Sequence, residues 1–171
     1  MQKQSIQTIT SNLLNSTGCN ELPIDVNKIA SYLNVTIYAI ELPEDISGIL
    51  DVRTEPIILI NKEHVLPRQR FSIAHELGHY QFHHLLGIIH VDKKSYYRNI
   101  KSTQGLDIIE IEANQFAANL LMPEDLIRNE LEKYEDFIDM DEDIVAIMAA
   151  KFNVSVTAMG FRIHNLGYSW P

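Results

Sequence analysis

"RFSIAHELGHYQFHH", Arg70 to His84, is the stretch on which the reading of this chain turns. Its His-Glu-x-x-His core sets His75 and His79 four residues apart. On an α-helix, positions four apart differ by about 40° in azimuth and about 6 Å along the axis. Both imidazoles then leave one face of the helix and can grip a single metal ion. Glu76 is turned by about 100° from His75. That puts its carboxylate beside such an ion, where it can take a proton from an activated water. Zinc suits two imidazoles and one carboxylate, with a fourth position left open for water. The apolar "FSIA" before His75 marks the buried side, and Gly78 beside His79 lets another backbone come close. The competing reading is two unrelated histidines that happen to fall one turn apart on an ordinary helix.

A third ligand is expected from a second helix, and "EIEANQFA" from Glu110 offers it. Glu110 and Asn114 are four apart and share a face. Glu110 can bind the metal, while the Asn114 amide can hold a ligand histidine in its tautomer from behind. Glu112 lies about 200° around the helix from Glu110 and cannot share its role. Glu110 is therefore favoured, with Glu112 as the alternative. His64, His83, His84, His90 and His164 lack a motif and read as surface or packing residues. His90, Tyr96 and Tyr97 are also candidates to polarise a substrate carbonyl, among which the sequence does not choose.

Around these motifs the periodicity predicts a helix over the first 17 residues, ending near Gly18, and a second one within "IDVNKIASYLNV". "VTIYAIEL", "ISGILDV" and "PIILIN" read as three strands of an antiparallel meander, the last covered on both sides. "PIILIN" or its neighbour is also a candidate edge for an extended substrate. "LPRQRFSIAHELGHYQFHHLL" follows as a long helix with Pro67 in its first turn. "GIIHVDKKSYYRNIKSTQGL" reads as a loop or lid. Helix returns from Asp107 to Pro123, then over Glu124–Glu132 and Asp141–Phe152, and finally in "SVTAMGFRIHNLG" with Ser155 as its cap. The expected class is one α+β domain over residues 1–171, with a core to about residue 123 and a helical C-terminal part over 124–171.

Bulk properties agree with a folded globular protein. Hydrophobic residues make up 46% and charged residues 22% of the 171, a globular composition. No apolar run approaches the roughly 20 residues of a membrane span, and no signal-peptide core opens the chain. Cys19 is the single cysteine, so no internal disulfide forms, and a cytoplasmic location is expected. A net charge of −9 argues against broad nucleic-acid binding. The acidic stretch Glu124–Asp143 reads as a solvated helix surface or as a docking face for a basic partner.

The two motifs together carry a resemblance. "RFSIAHELGHYQFHH", followed some thirty residues later by "E-x-x-A-N-x-F-A-x-x-L-L-M-P" from Glu110 to Pro123, resembles the ImmA/IrrE metallopeptidase family over about residues 25–167. The resemblance implies a zincin-like fold of minimal gluzincin type, with a small three-stranded antiparallel sheet packed on the active-site helix. It also implies His75, His79 and Glu110 as ligands of one zinc ion per chain, and Glu76 as general base. Such proteins are cytoplasmic peptidases that cleave a helix-turn-helix transcriptional repressor and so derepress genes of a mobile element, prophage or stress response. The family's C-terminal helices look like a degenerate helix-turn-helix. Here they carry only Lys151, Arg162 and His164, too few cations for DNA binding. Longer members add a sensory domain, for which this chain has no room, so regulation by another protein is expected. The alternative function is a non-cleaving antirepressor or antitoxin-like protein that sequesters its repressor. A pure binder has no need of Glu76.

Overall fold

A computed structural model of the protein describes residues 5–82, 89–93, 104–134 and 142–168. Helix α1 (Ile6–Thr17) starts where the Ser5 hydroxyl accepts from the Thr8 N–H and stops at Gly18, whose φ of 64° ends it in a left-handed turn. In α2 (Val26–Tyr32) the Asp25 carboxylate accepts from the N–H groups of Asn27 and Lys28 at 3.0 Å each. Both caps satisfy donors that have no partner inside the helix.

Strands β1 (Thr36–Ile40), β2 (Ile46–Asp51), β3 (Ile57–Asn61) and β4 (Ile89–Lys93) form one sheet in the order β1-β3-β2-β4. Two expectations change here. The sheet has four strands rather than three, because part of the stretch read as a loop or lid pairs with β2. The rest of that stretch, apart from the start of the following helix, lies outside the described residues. The sheet is also mixed rather than an antiparallel meander. β3 inserts between β1 and β2, parallel to the first and antiparallel to the second. The burial of each strand explains the order. β3 is apolar, with Ile58 and Ile60 buried, whereas β1 is mostly exposed and suits an edge. The connection that must step over β3 is held by the buried Asn61 side chain. Its amide donates to the carbonyls of Leu42, Pro43 and Ile46 at 3.1, 3.2 and 3.1 Å.

The sheet packs through β2 and β3 on α3 (Leu66–Phe82), and α4 (Gln104–Leu121) lies along the other side of α3. The α3–α4 contact is close because residue 78 is glycine. A Cβ there would stand 3.1 Å from the Ala113 Cα and 3.2 Å from its carbonyl oxygen. The chain continues as α5 (Glu124–Leu131), α6 (Glu142–Phe152) and α7 (Val156–Asn165). The last two are bent by 105° from each other across the short turn before Ser155, whose hydroxyl caps α7. Phe116 and Leu120 of α4, Leu50 of β2, Leu77 of α3, and Met148, Phe152 and Met159 of the last two helices belong to one buried apolar cluster. Arg70 ties distant segments together, its guanidinium donating to the carbonyls of Ile24 and Asn153 at 2.8 and 3.2 Å. Among the described residues no single helix is long and apolar enough to cross a membrane.

Candidate metal centre

The site is assembled from α3, α4 and β4. From α3, His75 and His79 leave the same face one turn apart, with their Nε2 atoms 2.9 Å from each other. From α4, the Glu110 carboxylate reaches both, Oε2 lying 3.3 Å from His75 Nε2 and Oε1 3.4 Å from His79 Nε2. Two ligand atoms of a tetrahedral zinc, each about 2.0–2.1 Å from it, stand about 3.3–3.4 Å apart. The donor spacing therefore fits such an ion with only a slight opening of the two imidazoles. These three residues group their ligand atoms within 4.8 Å. Glu112 is not in that group. The choice of Glu110 follows from the helix phase, which the tight α3–α4 packing at Gly78 sets against α3.

Behind His75, its Nδ1–H donates to the Asn114 side-chain oxygen at 3.1 Å. A proton held at Nδ1 leaves the Nε2 lone pair for a metal. Among the candidates, the structure brings His75, His79, Glu110 and Asn114 together as the spacing predicts. Tyr96, Tyr97, His83 and His84 lie outside the described residues.

Glu76 is fully buried. Its Oε2 is 3.1 Å from His90 Nδ1, while its Oε1 is buried without a hydrogen-bond partner among the described residues. His90, which the sequence leaves among several candidates, sits on β4 and spans the two carboxylates, with Nε2 3.2 Å from Glu110 Oε1. Its ring also lies 3.8 Å, centroid to centroid, from that of His79. Sequence spacing could not single it out, because β4 meets the site only through its pairing with β2. The one local signal is the alternation of "IHVDK", which turns His90 to the face opposite the exposed Ile89 and Val91.

The electrostatics follow from three imidazoles around one carboxylate in a partly dry site. Hydrogen bonds from His75, His79 and His90 hold the Glu110 carboxyl far below the usual carboxylate range, against partial burial. Burial pushes Glu76 up, opposed by its bond to His90. His79, fully buried and next to two other imidazoles, is lowered to about 4. Burial likewise pulls on His90, yet its bonds to Glu110 and Glu76 win and raise it to about 10. Burial lowers His75 too, but its bond to Glu110 and the nearby charges of Glu76, Asp92 and Glu110 together leave it raised.

The chain is 29% identical over 98 residues to an uncharacterized immunity region protein 2 of Bacillus phage phi105. That match takes in 57% of this chain and 58% of the phage protein, so the chain spans somewhat over half of that relative's length. Residues 30–164 match the peptidase M78 family, described as the IrrE N-terminal-like domain. M78 peptidases are metallopeptidases, and a His75, His79 and Glu110 group able to hold a metal is what such a peptidase requires. With most of its length matched, this chain belongs to the M78 peptidase family of IrrE N-terminal-like domains.

Proposed function

We propose that the protein is a zinc-dependent endopeptidase that cuts a helix-turn-helix transcriptional repressor at a specific site. The observation that carries this reading is the convergence of His75, His79 and Glu110, with the buried Glu76 carboxylate beside them. His75 and His79 through Nε2, and Glu110 through its carboxylate, hold one zinc ion per chain, and Asn114 keeps His75 in the required tautomer. When bound, zinc supplies the Lewis acidity that polarises a peptide carbonyl and acidifies a water. Glu76 accepts a proton from the attacking water as the water oxygen adds to the scissile carbonyl carbon. It then passes that proton to the amine nitrogen as the C–N bond breaks, leaving a carboxylic acid and an amine, which ionise to carboxylate and ammonium. His90 turns one ring N–H from its carboxylate partner to the carbonyl oxygen as negative charge develops there, while the other N–H keeps its partner.

The placement of the sheet bears on the substrate. β3, a candidate edge on sequence grounds, is paired on both sides and cannot take an extended peptide. Among the described strands the edge next to the site is β4, and a substrate strand laid along it passes His90. A repressor as substrate is suggested by the likeness to a phage immunity-region protein, and a cytoplasmic setting by the single cysteine, Cys19. The test is co-expression with the helix-turn-helix protein encoded nearest to it. Wild type is expected to convert the repressor into two fragments. Glu76→Gln should keep its zinc and lose a factor of about 10²–10⁴ in rate. Derepression by Glu76→Gln with the repressor left intact would instead identify a sequestering protein.

A further inference from the structure

The wall that Glu76 rests against is built by an irregularity in β2. Along the β2–β4 ladder Ile46 pairs with Lys93 and Gly48 with Asp92, so Ser47 is an extra residue with no opposite number. Such a bulge bends its strand and re-aims the residues beyond it. This one is tied down on both sides. The buried Ser47 hydroxyl accepts from Arg68 of α3 at 2.7 Å, and the Ile46 carbonyl accepts from the Asn61 amide. Arg68 lies on the same helix as Glu76, two turns earlier, so the bulge is referenced to the helix that carries the site.

The consequence is at Gly48. A Cβ on this residue would lie 3.2 Å from Glu76 Oε1, 3.3 Å from Glu76 Cγ and 3.3 Å from Ile60 Cδ1. The φ of Gly48 is outside the left-handed region, so the position demands space rather than backbone freedom. The Glu76 side chain has little room to yield, being fully buried and joined to His90 through its other oxygen. We propose that Gly48 is a positioning residue for Glu76: the pinned bulge presses side-chain-free backbone against Oε1 and Cγ, and this sets where the carboxylate stands relative to His75, His79 and Glu110. The inference rests on the reading of Glu76 as the general base. Its cause is steric, and it does not pass through the metal ligands.

The test compares wild type with Gly48→Ala, Arg68→Met and Glu76→Gln, all zinc-loaded, with Gly160→Ala as a control whose added Cβ meets nothing within 4 Å. Zinc content by mass spectrometry should be unchanged in all of them. Gly48→Ala should lower kcat about 10- to 100-fold with KM nearly constant, since sub-ångström misplacement of a reacting group acts on the chemical step. The assay uses the best peptide that wild type selects from a proteome-derived library. Arg68→Met, which frees the bulge without adding bulk, should fall the same way by less. A second readout needs no turnover. Acetohydroxamate chelates zinc and donates a hydrogen bond to a carboxylate beside it. Its affinity by calorimetry should drop about tenfold in Gly48→Ala, the scale of a lost bond to a charged group. Wild-type kcat and wild-type acetohydroxamate affinity in Gly48→Ala, with Glu76→Gln impaired, would overturn the role of Gly48 alone. Wild-type behaviour of Glu76→Gln would remove the general base itself, and the inference with it. If Gly48→Ala does not fold, unchanged affinity in Arg68→Met refutes the proposal.

Discussion

At the scale of the residue, the site is a contest for one carboxylate. Glu110 faces three imidazoles, and its side chain is still 44% exposed, whereas Glu76 and His79 are fully buried. The exposed carboxylate suits a ligand on the open side of a cleft, and the buried one suits a base screened from bulk water. Glu110→Ala is expected to lose zinc, measured by metal content after dialysis, while Glu112→Ala keeps it. The reverse result would put the wrong face of α4 toward α3. Asn114 acts one bond further out. Removing its amide from His75 Nδ1 frees the imidazole to rotate or to exchange tautomers, so Asn114→Ala should weaken zinc affinity about 10- to 100-fold in competition with a chelator.

At the scale of the element, α3 is held on two sides by different devices. β2 meets it through the bulge and Gly48, and α4 meets it through Gly78. A methyl at position 78 would run into the Ala113 backbone and the Phe116 Cβ at 3.1–3.2 Å, and main chain cannot step aside as a flexible side chain can. Gly78→Ala should destabilise the fold by about 1–3 kcal/mol through overpacking, only partly offset by the roughly 1 kcal/mol that alanine gains in a helix. Forcing α3 and α4 apart also separates Glu110 from the histidines. Thermal unfolding of the metal-free protein should show the loss of stability, and zinc titration should show weaker binding in the same variant. A more stable Gly78→Ala protein would mean that the two helices have room to spare at this crossing.

At the scale of the molecule, the C-terminal helices share the apolar cluster that supports the site, and Arg70 joins them to it. Burying a guanidinium is costly unless its donors are used, and here they satisfy the carbonyls of Ile24 and Asn153. Arg70→Met keeps much of the volume and loses both bonds, at a cost of about 1–3 kcal/mol. The melting temperature should fall by several degrees, about 2–4 °C per kcal/mol for a chain of this size, with zinc stoichiometry unchanged. Loss of zinc in Arg70→Met would instead show that the C-terminal packing reaches into the metal site. Two cations of the last two helices also tie them to α5 and its approach: Lys151 pairs with Glu130 at 2.7 Å, and Arg162 donates to the Met122 carbonyl.

The grouping of His75, His79 and Glu110, and of Asn114 behind His75, was legible in the sequence because each depends on helical phase. Four residues return to the same face whatever surrounds the helix, so His75 with His79, and Glu110 with Asn114, could be paired by counting. The same locality made some helix ends readable, through Gly18 and Ser155. Strand order was not legible, since alternation says which face a residue takes but not which strand lies beside it. Hence the insertion of β3 between β1 and β2, the strand hidden in "IHVDK", and the arrival of His90 between Glu76 and Glu110 all had to come from tertiary pairing. Gly48 belongs to the same class. Nothing near it in the chain asks for a glycine, and the demand comes from a carboxylate 28 positions away, pressed against it by the packing of α3 on the sheet.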